Sequence, residues 1–316
     1  MKPNLIAVVG PTASGKTSLG IALAQHKFGG FAGDAEIVSA DSRQIYRGMD
    51  IGTAKAKPEE RAGIPHHLID ICNPDEDYAV GEFKRDAERA IDEIISRGNL
   101  PILVGGTGLY VRSIVDNLDI PETKADPKLR AEIEAEITRD GLAAVFERLV
   151  ALDPEAAYIV DPKNPRRVVR ALEVATITGK PFTAQRRKND PRYNVLEIGI
   201  NPPPEILRER IDRRIDEMVS DGLVDEVKNL LKKYGGGATG TDSANKPRPI
   251  SFDAIGYREI IDYLEGRATL DDAVAAMKMN TWHFAKRQIT WFKKDKNIHW
   301  IENTDEALKI AENFLT

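Results

Sequence analysis

The chain opens on an apolar run, Leu5–Val9, and from there short continuous apolar runs alternate with helical stripes. Glu36–Ala40 and Pro101–Val104 repeat the first pattern, long enough for strands and too short for helices. Gly81–Arg97 shows the second, with Phe83, Ala87, Ala90, Ile91, Ile94 and Ile95 on one face of a 3.6-residue period. Lys16–His26 reads as the helix behind the first run. This strand–loop–helix alternation predicts an α/β fold, a doubly wound parallel sheet whose ligands sit at the carboxyl ends of its strands.

From Glu122 to about Asp190 the pattern is helical throughout, as in "DPKLRAEIEAEI" and "RRVVRALEVATITG", and predicts a helical insertion. Val195–Ile200 returns to strand. One long amphipathic helix is expected over Pro204–Tyr234, with Leu207, Ile211, Ile215 and Met218 as its buried stripe. Arg210 and Arg214 lie one turn apart on its flank. They fit either a pair snorkelling over the core or a guanidinium clamp on a phosphate. Residues 234–249, "YGGGATGTDSANKPRP", read as a flexible loop. Helices near 252–264 and 270–293, a strand Ile298–Ile301 and a terminal helix complete the pattern.

Composition narrows the class. A chain of 316 residues with 41% hydrophobic and 30% charged residues can bury a sizeable core. Its apolar runs are strand-length, so no membrane span is expected, and Met-Lys-Pro-Asn leads directly into a strand without a signal-peptide core. A single cysteine, Cys72, rules out a disulfide framework and a cysteine-based zinc site, and points to a reducing cytoplasm. Net charge is −5, against a uniformly basic nucleic-acid binder, yet the basic residues are clustered. Lys163–Lys188 holds eight Lys/Arg and one acid, Glu173. Lys278–Lys294 holds five and no acid, interleaved with Trp282, Phe284, Trp291 and Phe292. Each stretch alone fits a solvated face; two on an acidic chain suggest a polyanion groove.

Between the first strand and the first helix stands Gly10-Pro11-Thr12-Ala13-Ser14-Gly15-Lys16-Thr17, a match to the phosphate-loop pattern in its required context. Such a loop cradles phosphate with backbone N–H groups and the helix N-terminus. Lys16 adds a point charge, and Thr17 offers a hydroxyl to Mg²⁺. The expected architecture is thus a P-loop NTPase-like core in two parts, residues 1–120 and 193–316, around an insertion at 121–192. Asp41, in "SADSRQIY" at the end of the second strand, fits a metal ligand, a general base or a helix cap with Ser42. Thr107, after the third strand in "GGTG", offers a hydroxyl near the phosphates or a cap. His66 and His67 point in different directions and read as structural.

The segments "GPTASGKT", "ADSRQIYRGMDIGTAK", "GIPHHLID", "GGTGLY", "RRVVRALEV", "AIGYREI" and "AKRQITWFK" follow one another over nearly the whole chain. Together they resemble the tRNA dimethylallyltransferases (tRNA isopentenyltransferases) of bacterial type. The resemblance implies that the loop grips a prenyl diphosphate, so that Lys16, the loop amides and Mg²⁺ neutralise a departing diphosphate. It implies Asp41 as the base that takes an adenine N6 proton and Thr107 as a positioning group, with Arg214 on the diphosphate. It maps tRNA contacts onto Asp41, Ser42, Arg43 and Gln44, onto Thr107 and Arg130, and onto Arg166, Arg167 and Arg170. Further contacts fall on Gly256, Tyr257 and Arg258 and on Lys286, Arg287 and Gln288. Arg166 stands where many members carry Gln.

The implied partners are a tRNA anticodon stem-loop, with its target adenosine flipped out, and dimethylallyl diphosphate; a monomer is expected. A prenyltransferase acting on free adenine nucleotides is the nearest rival, for which the helical insertion and basic C-terminal helix would be superfluous. A small-molecule kinase would consume ATP stoichiometrically. A non-catalytic tRNA-binding module would leave the phosphate loop, Asp41 and Thr107 without a role.

Overall fold

A computed structural model describes residues 2–120, 126–185, 188–235 and 248–316. The chain divides into two compact units, one made of Met1–Ile114 with Arg192–Thr316, the other of Val115–Pro191.

In the first unit, six strands among the described residues form one all-parallel sheet. They are β1 (Asn4–Val9), β2 (Ala35–Ser39), β3 (His66–His67), β4 (Leu100–Gly105), β5 (Asn194–Ile200) and β6 (His299–Ile301). Their order across the sheet is β3-β2-β4-β1-β5-β6. Strands β2 and β4 are buried along their whole length, as is β1 beyond Asn4. Continuous apolar runs are what a parallel sheet covered on both faces demands. Register then places the site: Val9 pairs with Gly105, and Ser39 with Val104. The segments beginning at Gly10, Ala40 and Gly106 therefore leave three adjacent strands at one edge.

Helix α1 (Lys16–Gln25) packs Leu19 and Leu23 with Ile6, Val8, Ile37 and Ile102, and α12 (Thr304–Leu315) adds Ala307 and Ala311. Helices α2 (Val80–Ser96) and α3 (Gly108–Val115) meet where the Phe83 and Tyr110 rings stack at 3.9 Å. A second core joins α8 (Pro204–Ser220), α9 (Leu223–Tyr234), α10 (Tyr257–Leu264) and α11 (Leu270–Phe292) through Ile211, Ile215, Val227, Tyr257 and Met277.

The second unit is helical: α4 (Pro127–Asp140), α5 (Leu142–Leu152), α6 (Ala156–Ile159) and α7 (Pro165–Thr178). Ile133, Val145, Leu149, Val168 and Leu172 form its core. Helices α4 and α7 begin alike, with a side-chain cap from Asp126 or Asn164 followed by proline at the first turn, where its missing N–H costs nothing.

Two expectations need correction, and one strand was not expected. The helix expected over 204–234 is two, because Gly222 adopts φ 101° between them. The apolar stripe runs on through Leu223 and Val227, so periodicity passes over the break. The segment near 252 is a 3₁₀ turn, Ile250–Asp253, and α10 starts only at Tyr257. Strand β3, two residues long, is too short to carry an alternation. The loop expected at 234–249 lies outside the described residues over 236–247, as do 121–125 of the expected insertion and Arg186 and Arg187 of the first basic stretch. No helix among the described residues is long and apolar enough to cross a membrane.

Candidate active site

The three strand ends open onto a cavity of about 1580 Å³ within the first unit. The loop between β1 and α1 enters it with Ala13 at φ 60°, a left-handed conformation that a non-glycine residue holds only at a cost of order 1 kcal/mol. Thr12 to Thr17 line the cavity, and Gly10 and Pro11 do not. Ser14 is 3% exposed, and its hydroxyl has no hydrogen-bond partner among the described residues. A buried hydroxyl without a partner is costly unless a ligand supplies one.

Lys16 donates its ammonium to the Pro11 carbonyl at 2.5 Å. Burial drives its pKa down to about 8; Asp41 pulls it up and Arg214 pushes it further down. Arg214, on α8, is likewise lowered by burial and supported by Asp41. Arg210, one turn earlier on the same helix, donates to the Ser14 carbonyl at 3.3 Å. Two partly buried cations thus stand with one carboxylate nearby, which makes the cavity a site for a strongly anionic group.

Asp41 is the second residue after β2, and its Oδ1 accepts the Arg43 N–H at 2.9 Å, the bond of a local cap. Thr107 follows β4; its N–H donates to the Ala40 carbonyl at 3.3 Å. Its hydroxyl accepts the Ser42 N–H at 3.0 Å and donates to Ser42 Oγ at 3.3 Å. Asp41, Ser42, Arg43, Gln44 and Thr107 all line the cavity. The Gln44 amide, however, donates to the Thr53 and Ala54 carbonyls, both at 3.3 Å, so it holds the next loop.

Of the C-terminal candidates, Gly256, Arg258, Arg287 and Gln288 line the cavity. Arg258 pairs with Glu259 at 2.6 Å. Tyr257 is fully buried and donates its hydroxyl to Glu226 at 2.6 Å; burial and that carboxylate raise its pKa. Lys286 and Arg287 are exposed on α11, over the Trp282 and Phe284 rings at 5.6 and 5.9 Å. Gln288 is buried, accepting the Thr12 N–H at 2.8 Å and donating to the Gly106 carbonyl at 2.9 Å.

In the second unit, Arg166 and Arg167 are exposed at the start of α7. Arg130 and Arg170 converge on Glu173, which is 0% exposed. Arg130 donates from Nε at 2.8 Å and Arg170 from Nη1 at 2.6 Å. Burial pushes the Glu173 carboxyl up, but the two arginines and the Asp126 N–H outweigh it and hold it below its ordinary range.

Sequence reasoning missed Glu226 on α9. Its carboxylate accepts the Asp50, Ile51 and Gly52 N–H groups at 3.0, 2.7 and 3.1 Å, and so shapes the loop whose Gly52, Thr53 and Ala54 line the cavity. No local pattern marks a glutamate whose partners lie 174 to 176 positions away.

A phosphate-loop sequence at the carboxyl edge of a parallel sheet, with a carboxylate and a hydroxyl lining the same cavity, defines an α/β protein of the phosphate-loop class. Residues 44–295 match the family described as IPP transferase. A tRNA dimethylallyltransferase of Streptomyces coelicolor is 47% identical over 299 residues, 95% of this chain and 90% of its own length. The full-length tRNA isopentenylpyrophosphate transferase of Bacillus halodurans superposes with a TM-score of 0.69 at 40% identity, over 99% of this chain and 96% of its own. A eukaryotic dimethylallyltransferase, described as acting on tRNA, gives a TM-score of 0.80 at 28% identity, over 99% of this chain and 79% of its own. The chain belongs to the IPP transferase family.

Proposed function

We propose that this protein transfers the dimethylallyl group of dimethylallyl diphosphate to N6 of adenosine 37 in the anticodon loop of tRNAs reading U-initial codons. The supporting observation is that one cavity is lined by both the phosphate loop and the Asp41–Thr107 pair of strand ends. Adenine N6 is a weak nucleophile because its lone pair is delocalised into the ring. Alkylation therefore needs a good leaving group, alignment and a base. The N6 lone pair forms the new bond to the allylic carbon as that carbon's bond to oxygen breaks. The N6 proton passes to Asp41, and diphosphate leaves with the electron pair.

Lys16, Arg214, the loop amides and the Ser14 hydroxyl stabilise the charge that develops on the diphosphate. Thr107 holds Ser42 and, through it, the segment that carries Asp41. Magnesium fits the Thr17 hydroxyl, which lines the same cavity. No group of three or more His, Cys, Asp or Glu side chains among the described residues suits a metal, so diphosphate oxygens and water would complete its shell. When bound, the ion would add positive charge against the leaving group.

In the first unit the exposed cation–aromatic face of α11 offers contacts to a polyanion, and in the second unit Arg166 and Arg167 offer contacts of their own. A reducing cytoplasm agrees with the single cysteine, Cys72, which is free and buried, its thiol pushed up to about 11 by that burial. Mass spectrometry of nucleosides from unmodified tRNA, after incubation with dimethylallyl diphosphate and Mg²⁺, tests the reading, with AMP and ATP offered in parallel. Prenylated adenosine from tRNA alone is expected. Product on AMP or ATP alone would establish the free-nucleotide reaction instead.

A further inference from the structure

Lys286, Arg287 and Gln288 are consecutive on α11, and successive helical residues point about 100° apart. Lys286 and Arg287 face outward, whereas Gln288 shares the buried side with Ala285 and Phe292. A buried carboxamide must satisfy both its acceptor and its donor. Gln288 does so across 276 positions to Thr12 and 182 positions to Gly106. One planar group thus bonds at once to the phosphate loop and to the turn that carries Thr107. The turn is shaped to receive it: a Cβ on Gly106 would collide with Gln288 Nε2, and one on Gly108 with the Trp291 indole, one turn further along α11.

We propose that Gln288 is a positioning residue of the transfer site, its carboxamide fixing the spacing between the phosphate loop and the Thr107 turn. This rests on the reaction proposed above. The Thr12 N–H is committed to Gln288, which anchors the loop at its entry while Thr12 to Thr17 line the cavity. The side chain is thereby spent within the protein, and its substitution acts first on the diphosphate and only indirectly on the nucleic acid.

The test compares Gln288→Met, which keeps the volume and loses both bonds, with Gln288→Glu, which keeps the acceptor for Thr12 and loses the donor to Gly106. Calorimetry with inorganic diphosphate and fluorescence anisotropy with an anticodon stem-loop read the two affinities separately. Leaving a buried N–H or carbonyl unpaired should weaken diphosphate binding by about five- to a hundredfold. Stem-loop affinity should be unchanged, and the KM for dimethylallyl diphosphate should rise while that for the stem-loop does not. Weaker stem-loop binding with diphosphate affinity intact would overturn the proposal, as would equal diphosphate binding by wild type and variants. If the Met variant does not fold, the Glu variant decides alone. A wild-type protein that binds no diphosphate would instead remove the transfer reading on which this inference stands.

Discussion

The Thr107 hydroxyl accepts the Ser42 N–H at 3.0 Å, tying the turn after β4 to the turn after β2. Because Asp41 precedes Ser42, this bond fixes where the carboxylate stands over the phosphate loop. Thr107→Val keeps the shape and leaves the amide unpaired. A stability loss of about 1 kcal/mol is expected, together with a lower kcat and unchanged diphosphate affinity. Thr107→Ser restores the hydroxyl and should recover most of the rate. Steady-state kinetics on the three proteins check this, and equal kcat in all three would show that the bond does not matter for transfer.

Lys16 supplies a pH dependence whose sign is fixed. Its pKa falls from 10.5 unfolded to about 8 folded, chiefly by burial. Below pH 8 both states carry the proton, and the cost of burying the cation is present in full. Between about 8 and 10.5 the unfolded chain binds more protons, so ligand-free stability rises with pH across that window. Diphosphate prefers the ammonium, so its affinity should fall as pH rises through about 8, approaching tenfold per unit. Lys16→Arg keeps its charge and should lose that limb, while the ionisation of the ligand is common to both proteins and cancels. Identical pH profiles would mean that Lys16 does not titrate in this range.

The legible parts of this protein are those in which the deciding partner is local. Continuous apolar runs marked β1 and β4, the glycines and Lys16 marked the phosphate loop, and Asp126-Pro127 and Asn164-Pro165 carried the helix starts in the residues themselves. Direction within a motif was not legible. The resemblance maps "KRQ" as one run of tRNA contacts, yet helical geometry exposes Lys286 and Arg287 and buries Gln288. Tyr257 and Gln44, read from their motifs as facing tRNA, spend their side chains on Glu226 and on the Thr53 and Ala54 carbonyls. Long-range positioning by Glu226 leaves no trace in a window of one turn or strand.

The basic residues of the second unit separate into two kinds. Arg167 is exposed, and Arg167→Ala should lower the log–log salt slope of tRNA binding by roughly 0.7 to 0.9. Lys286→Ala on α11 should do the same. Arg130 and Arg170 also neutralise Glu173, and removing either leaves a buried carboxylate under-compensated. Their side chains are 36% and 35% exposed, so water softens the loss to about 2 kcal/mol, below the cost of breaking a fully buried pair. Glu173 has a depressed folded pKa, so its stabilisation is complete above its unfolded value of 4.5 and is lost as pH falls through the lower folded value. Thermal unfolding of Arg170→Ala with and without Glu173→Gln checks this: the second substitution should rescue stability at pH 7. An additive loss would deny the coupling.

The last prediction separates the roles open to Asp41. Its Oδ1 accepts the Arg43 N–H at 2.9 Å, a bond that the amide oxygen of asparagine can make equally well. Asp41→Asn therefore keeps the turn and removes only the charge and the ability to take a proton. If Asp41 is the base for N6, kcat should fall by about 10²–10⁴ while the tRNA Kd shifts little. That loss should persist as Mg²⁺ is raised. A defect that shrinks with added Mg²⁺ would make the carboxylate a metal ligand, and an unchanged rate would leave it only the cap. The charge itself also matters, because Asp41 supports both Lys16 and Arg214 in their ammonium and guanidinium forms. Its removal should lower the Lys16 pKa further and shift the alkaline limb of diphosphate binding to lower pH. Measuring that limb alongside kcat distinguishes a lost base from a lost counter-charge. The expected result is both, a Mg²⁺-insensitive fall in kcat and a limb displaced below about 8.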